Sequence, residues 1–239
     1  MDKHMMRLDK YLTATETLFR AQAKKAIANG QVKVDNEVIQ NVNHKIDETV
    51  QEVLYMGTPV TYQKYVYYML NKPAGYLSAT RDKQQTVMDL IESKKKEELF
   101  PVGRLDKDTE GLLLITNNGD LAHNLLSPKK HVSKKYFARI QGKVTPEMIE
   151  VFQAGMFIGE YKALPADLTI LTSNEVSEVE VVLYEGKFHQ VKRMFHAVGL
   201  EVIYLKRLTM GKLRLDEELL PGQYRALTME EIRMLHKGE

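Results

Sequence analysis

Two periodicities alternate along the chain. Apolar positions recur every three to four residues from about Arg7 and again from Phe19 to Asn29, which predicts a pair of short helices, with Gly30 as the stop signal for the second. The run Gln31-Val32-Lys33-Val34-Asp35-Asn36-Glu37-Val38-Ile39 then alternates around an Asp-Asn turn and predicts a hairpin. Further short strands are expected at Val50 to Leu54 and Val60 to Tyr62. Beyond the junction Tyr62-Gln63-Lys64-Tyr65, strands are predicted near 66–71, 112–117, 135–142, 164–172, 178–184 and 201–209. Helices are predicted near 86–92, 120–126, 146–154, 187–198 and 229–236, and Thr145-Pro146 and Thr228 with Glu231 are sound helix starts. Few strand pairs are separated by long crossover helices, so the expected class is α+β with a mainly antiparallel sheet flanked by helices. The expected domains are residues 1–62, a helix pair on a small sheet, and residues 63–239, with a hinge at 62–65.

With 239 residues and 44% hydrophobic content, the chain can bury one good core and a small satellite. No apolar run nears the ~18 residues that span a bilayer, and the N-terminus lacks signal-peptide order, so no membrane partner and a cytoplasmic location are expected. His4-Met5 before Met6-Arg7-Leu8 reads as a cloning junction, which sets Met1 to Met5 aside. The absence of cysteine removes disulfides, zinc-thiolate sites and any thiolate attack on a pyrimidine ring.

Net charge is only +2, so its distribution carries the argument. Leu121 to Pro146 holds six Lys or Arg and no acid, and Lys187 to Arg214 holds seven against Glu201. In the N-terminal unit, Met1 to Lys33 carries seven cations against three acids, whereas Val34 to Tyr62 carries one against five. The helix pair is therefore the face expected on phosphates, and the two later runs point to a phosphate-binding groove.

The densest chemistry lies in Gly103-Arg104-Leu105-Asp106-Lys107-Asp108-Thr109-Glu110-Gly111, a polar turn feeding the apolar strand Leu112-Leu113-Leu114-Ile115. A lone Asp-rich turn is most often only a cap. Calcium is disfavoured, because the twelfth loop position is Asn117 and a strand follows where a helix should. A glycosidase-like pair is disfavoured because nothing fixes the separation of Asp106 and Asp108. On the later helical stretch, Phe188, Val191, Phe195 and Val198 form an expected apolar stripe beside a polar one of His189, Lys192, Arg193 and His196.

Taken in order, several segments resemble one known group. Met6 to Leu12, Arg20 to Ile27 and Gly30 to Asp35 resemble the alpha-L RNA-binding domain of a small-subunit ribosomal protein, departing at Phe19, where the family has a capping serine; Thr17 is the alternative cap. Asn71-Lys72-Pro73-Ala74-Gly75, the Gly-Arg-Leu-Asp segment, Lys134-Lys135-Tyr136 and Glu185-Gly186-Lys187-Phe188-His189-Gln190-Val191-Lys192-Arg193-Met194 resemble the RsuA-like pseudouridine synthases of small-subunit ribosomal RNA.

The resemblance implies isomerisation of one uridine in 16S rRNA, of the pseudouridine-516 type, without metal or cofactor. It makes Asp106 the carboxylate that starts the reaction, either as a nucleophile or by abstracting a sugar proton. Lys192 then pairs with Asp106, Tyr136 stacks on the target base, and Arg104 fills the space left by the flipped uridine. Lys72, Lys134, Lys135, Lys187, His189, Gln190 and Arg193 are expected RNA contacts of the catalytic domain, and Arg7, Lys10, Arg20, Lys24 and Lys25 those of the N-terminal one. The expected partner is 16S rRNA, in a partly assembled particle rather than as free RNA, and the enzyme is expected to be a monomer. The alternatives are a large-subunit (23S) synthase of the same group and a non-catalytic assembly factor. A methyltransferase is disfavoured, since no Gly-rich loop follows a strand.

Overall fold

The computed structural model describes residues 5–15, 17–48, 50–61, 65–93 and 95–237. Chain contacts divide it into two compact units, Met1–Tyr65 and Val66–Glu239. The expected boundary and hinge fall on Tyr62 to Lys64, and the expected cloning junction on Met1 to His4; both lie outside the described residues, apart from Met5 and Tyr65.

The first unit runs β1 (Met5–Arg7), α1 (Leu8–Ala14), α2 (Arg20–Ala28), β2 (Val32–Val34), β3 (Glu37–Val38), β4 (Lys45–Asp47), β5 (Val53–Tyr55) and β6 (Thr58–Pro59). Asp35 and Asn36 both sit at positive φ (48° and 70°), the conformation a two-residue hairpin requires, and β2 pairs with β3 across them. Leu8, Leu12, Ala23, Ile27, Val32 and Val53 close the core between the helix pair and a sheet of order β3-β2-β5-β6. The strand expected at 60–62 is instead Thr58–Pro59, and the β1–β4 pair was not foreseen. Thr17 does not cap α2: its hydroxyl is hydrogen-bonded to Thr15, and the Phe19 N–H donates to Gln22 Oε1 (3.1 Å).

The second unit contains β7 (Tyr67–Lys72), β8 (Phe100–Pro101), β9 (Glu110–Thr116), α3 (Gly119–Leu126), β10 (Lys134–Gln141), α4 (Pro146–Ala154), β11 (Phe157–Ile158) and β12 (Tyr161–Lys162). It continues with β13 (Asp167–Thr172), β14 (Val176–Leu183), α5 (Gln190–Ala197), β15 (Glu201–Met210), β16 (Leu213–Arg214), β17 (Tyr224–Ala226) and α6 (Met229–Lys237). Among the described residues one sheet has the order β13-β14-β10-β15-β9-β7-β17, with β16 on β15 and β8 on β9. Its neighbouring pairs are antiparallel except β15–β9, in agreement with the expected class.

Alternation in β10 buries Lys134, Tyr136, Ala138 and Ile140 on the face that α4 and α5 cover. Phe152 of α4 and Phe195 of α5 meet there, ring centroids 4.9 Å apart. Each such fully buried side chain contributes about 1.5–3 kcal/mol. The helix expected at 86–92 is a single 3₁₀ turn, Val87–Leu90, tied by the Thr86 N–H to Asp89 Oδ2 (2.8 Å). Before α6, Thr228 and Glu231 form the reciprocal cap read from the sequence: the Thr228 N–H donates to Glu231 Oε2 and the Glu231 N–H to Thr228 Oγ1.

Gly111 is the point where β9 can lie beside β15. Its φ is +98°, and a Cβ there would stand 2.3 Å from Arg207 O and 2.8 Å from Arg207 N. Both atoms are backbone, so neither can yield without moving the strand. Gly111→Ala is therefore expected to cost about 2–5 kcal/mol through strain and overpacking, read as a lower urea midpoint. An unchanged midpoint would contradict the close approach.

Candidate active site

The loop that carries Asp106 is fastened from several directions. Leu105 turns inward, and the Ser78 hydroxyl both receives the Leu105 N–H (3.0 Å) and donates to the Leu105 carbonyl (2.9 Å). Asp106 O accepts from Thr109 N (3.1 Å), closing the turn, and Lys107 O accepts from Gly75 N (2.8 Å). Lys72 completes the fastening: its ammonium donates to the carbonyls of Pro73 (3.0 Å), Lys107 (3.1 Å) and Thr109 (2.7 Å). The Asn71–Gly75 segment and the Asp106 loop are thus one construction, which explains why both motifs stand in the same chain.

Lys72 is 0% exposed. The expectation that it contacts RNA is corrected, because its three donors are spent on backbone carbonyls beneath the loop. Burial pulls its pKa down to about 8, against the opposing charges of Asp108, Glu110 and Asp106.

Helix α5 brings cations to the same loop. Lys192 Nζ stands 3.4 Å from Asp106 Oδ2, but 2.6 and 2.8 Å from the two carboxylate oxygens of Asp108. Burial works to raise the Asp108 carboxyl, yet the hydrogen bonds and charge of Lys192 outweigh it and hold it below the usual range. The expected Lys192–Asp106 pair is present as the longer arm of a three-member cluster. His189 Nε2 supplies another arm, 3.6 Å from Asp106 Oδ1. The Asp106 side chain is 21% exposed and that of Asp108 71%, so Asp106 is the carboxylate sheltered between two nitrogenous side chains while still open to a ligand.

The approach to α5 differs from the expected helix over 187–198. His189 adopts the left-handed conformation (φ 50°, ψ 33°), and the helix begins only at Gln190. Gln190 is buried: its Nε2 donates to Glu185 Oε1 (2.8 Å) and its Oε1 accepts from Lys187 N (2.9 Å). It is a brace, and its expected RNA contact is corrected. Glu185, also buried, further accepts from Leu164 N (2.9 Å) and from the Tyr161 hydroxyl. Phe188 leaves the expected apolar stripe altogether: it is 75% exposed and stacked on His189.

Tyr136 lies on the covered face of β10, 8% exposed. It is in register with Arg207 of β15, which is in register with Gly111 of β9. Arg207 is itself buried, its Nε donating to Leu112 O (2.8 Å) and its Nη2 without a partner. Lys134 and Lys135 part company across the strand. Lys134 is buried, donates to Val132 O (2.6 Å), and is pulled to about 8 by burial and then by the charge of Arg207. Lys135 forms an ion pair with Glu180 at 2.7 Å. The RNA contact expected of Lys134 is corrected by its burial, while Lys135 stays half-exposed on the opposite face. Arg104 is exposed, Lys187 lies 4.4 Å over the Tyr161 ring, and Arg193 donates to the Ile158 carbonyl. Among the described residues no group of three His, Asp or Glu is placed to hold a metal ion.

In the first unit, Arg7 is bidentate to the buried Asp9 carboxylate (3.0 and 2.8 Å). Arg7, Asp9, Lys10, Thr13 and Arg20 line a cavity of about 340 Å³, and Lys10, Arg20, Lys24 and Lys25 are all exposed. No helix among the described residues is long and apolar enough to cross a membrane.

Sequence reasoning missed Asp108 as the main partner of Lys192, and Ser78, Glu185 and Arg207 as supports. Glu185 was findable, as an acid at the head of the Glu185–Met194 motif directly before the basic run; Ser78 carries no signal in its neighbourhood.

The profile of RNA pseudouridylate synthases matches residues 66–197, and that of the S4 domain matches residues 6–51. An RNA pseudouridine synthase of Bacillus subtilis, YtzG, is 47% identical over 98% of this chain and 100% of its own length. The ribosomal small subunit pseudouridine synthase A of Escherichia coli is 38% identical over 95% of this chain and 98% of its own. A crystal structure of a pseudouridylate synthase superposes with a TM-score of 0.68 at 34% identity, covering 96% of this chain and 99% of that one. With the fastened Asp106 loop and the basic helix beside it, these matches over nearly the whole length establish that the chain belongs to the RNA pseudouridylate synthase family, in its RsuA-type branch with an N-terminal S4 domain.

Proposed function

We propose that this pseudouridine synthase acts on one uridine of 16S rRNA, in a partly assembled small-subunit particle, as a cytoplasmic monomer without cofactor. The observation that carries the reading is Asp106, held rigid at a sheet edge between Lys192 and His189 and only partly exposed. The near full-length likeness to a synthase named for the small ribosomal subunit supports the choice of RNA.

The target uridine is flipped out of its stack, since its reacting atoms are otherwise unreachable, and Arg104, exposed two residues before Asp106, fills the gap. Asp106 starts the reaction, with the Lys192 ammonium 3.4 Å from its Oδ2. The C1′–N1 bond breaks, the uracil turns in place against Tyr136, and a C1′–C5 bond forms, with the proton lost from C5 balanced by one gained at N1. Substrate and product are isomers, so no oxidant or co-substrate is needed. Lys187, His189 and Arg193 contact the strand around the target, while Arg7, Lys10, Arg20, Lys24 and Lys25 hold RNA phosphates on the S4 domain.

Pseudouridine mapping in a strain lacking the gene is expected to show loss of one small-subunit site, restored by the wild-type chain. A retained small-subunit site together with a lost 23S site would overturn the target.

A further inference from the structure

An aromatic side chain left in water beside a catalytic carboxylate calls for a reason. Phe188 is 75% exposed, and its ring lies 3.8 Å from that of His189 at an interplanar angle of 19°. His189 in turn stands 3.6 Å from Asp106 through Nε2. One face of the Phe188 ring is covered by histidine; the other is open. The pair is thus a two-layer platform running outward from the carboxylate.

The backbone under this platform is built, at a cost. His189 holds a left-handed conformation, which is strained in a residue with a side chain. It is held there by Gln190 N to Lys187 O (3.2 Å), Lys187 N to Gln190 Oε1 (2.9 Å) and Arg193 N to His189 O (2.9 Å), with Glu185 anchoring Gln190 from below. Had the helix simply begun at Lys187, Phe188 would share the buried face of Val191 and Phe195. The left-handed residue turns it out instead.

The surroundings select the kind of ligand. From Gly186 to Leu200 the sequence holds Lys187, Lys192 and Arg193 and no acid, so the platform's own element is basic, while Asp106 and Asp108 lie on the loop at its inner end. A flat apolar face on a basic element suits a nucleobase attached to phosphate, because stacking is indifferent to base identity and the cations meet the backbone. Flipping a uridine leaves the adjoining base without its stacking neighbour, and a ring at the rim of the site can take that place.

We infer that Phe188, backed by His189, stacks on the nucleobase adjoining the flipped uridine and so helps to hold the opened strand. This rests on the reading of the chain as an enzyme that flips a uridine, but not on which ribosomal subunit supplies it.

The chain contains no tryptophan, so Phe188→Trp installs a single fluorescent reporter on the platform. The probe is an unmodified 16S rRNA transcript, with binding measured independently by filter retention. Quenching of the new tryptophan on binding is expected. Phe188→Ala should lower kcat/KM roughly 5- to 150-fold, mostly through KM, with Phe188→Trp restoring it. A reporter that stays unquenched when filter retention shows bound RNA overturns the inference, as does Phe188→Ala with wild-type kcat/KM. Quenching by the transcript without any pseudouridine formed by the wild-type chain supports stacking and overturns the choice of 16S rRNA.

Discussion

Asp106→Asn should abolish pseudouridine formation, lowering the rate by about 10⁴-fold, the scale seen when a group that makes or breaks the reacting bond is removed. The amide is nearly isosteric, so the Ser78 clasp on Leu105 and the Lys72 clamp on Lys107 and Thr109 are kept, and the loop should hold its shape. RNA affinity should change little, because the proposed RNA contacts are cations on α5 and the S4 domain rather than the carboxylate. Asp108→Asn is the informative partner. It removes the shorter contact of Lys192, 2.6 Å against 3.4 Å to Asp106, but leaves Asp106 itself intact. Its rate should fall about tenfold or less, since Lys192 can turn fully to Asp106. Equal losses in the two variants, in a single-turnover assay that counts pseudouridine, would assign the chemistry to the pair rather than to Asp106.

The sequence was most legible where one local rule decides the outcome. Asp35-Asn36 takes the positive φ values of a hairpin turn whatever surrounds it, and Thr228 with Glu231 caps α6 from within four residues. That the sheet is mainly antiparallel followed from the scarcity of long crossover helices, whereas its strand order, with β10 beside β15 and β7 beside β17, has no signal in the sequence. What stayed hidden depended on where side chains point. Helical phase counted from Lys187 puts Phe188 inside, and one left-handed residue at His189 resets that phase. Lys72, Lys134 and Lys135 read alike as basic residues in basic motifs, yet the first is capped by three carbonyls, the second lies under the sheet face beside Arg207, and the third pairs with Glu180. Asp106 and Asp108 sit two apart on a turn, and nothing in that spacing says which of them Lys192 will approach more closely.

Lys72→Met should be the most damaging substitution outside the carboxylate. It leaves the Pro73, Lys107 and Thr109 carbonyls without their buried ammonium donor, an expected loss of about 3–5 kcal/mol of stability. Because two of the three carbonyls belong to the Asp106 loop, activity should fall in the fraction that remains folded, and thermal melts and turnover would be read on the same samples. The pH dependence separates this from a simple packing defect. Lys72 titrates near 8 in the folded chain and near 10.5 when free, so the unfolded chain holds the extra proton between those values. The proton-linked contribution to stability is then full above 10.5 and lost as pH falls through about 8. The stability gap between wild type and Lys72→Met should accordingly widen as pH rises from 8 to 10.5. Over the same rise the neutral amine keeps only two hydrogens for three carbonyls, so the loop loses a tie, and wild-type activity should decline as pH passes 8 although the fold is not weakened. A gap that narrows over this range would mean that the ammonium stays charged throughout, held by its three carbonyls against the cost of burial.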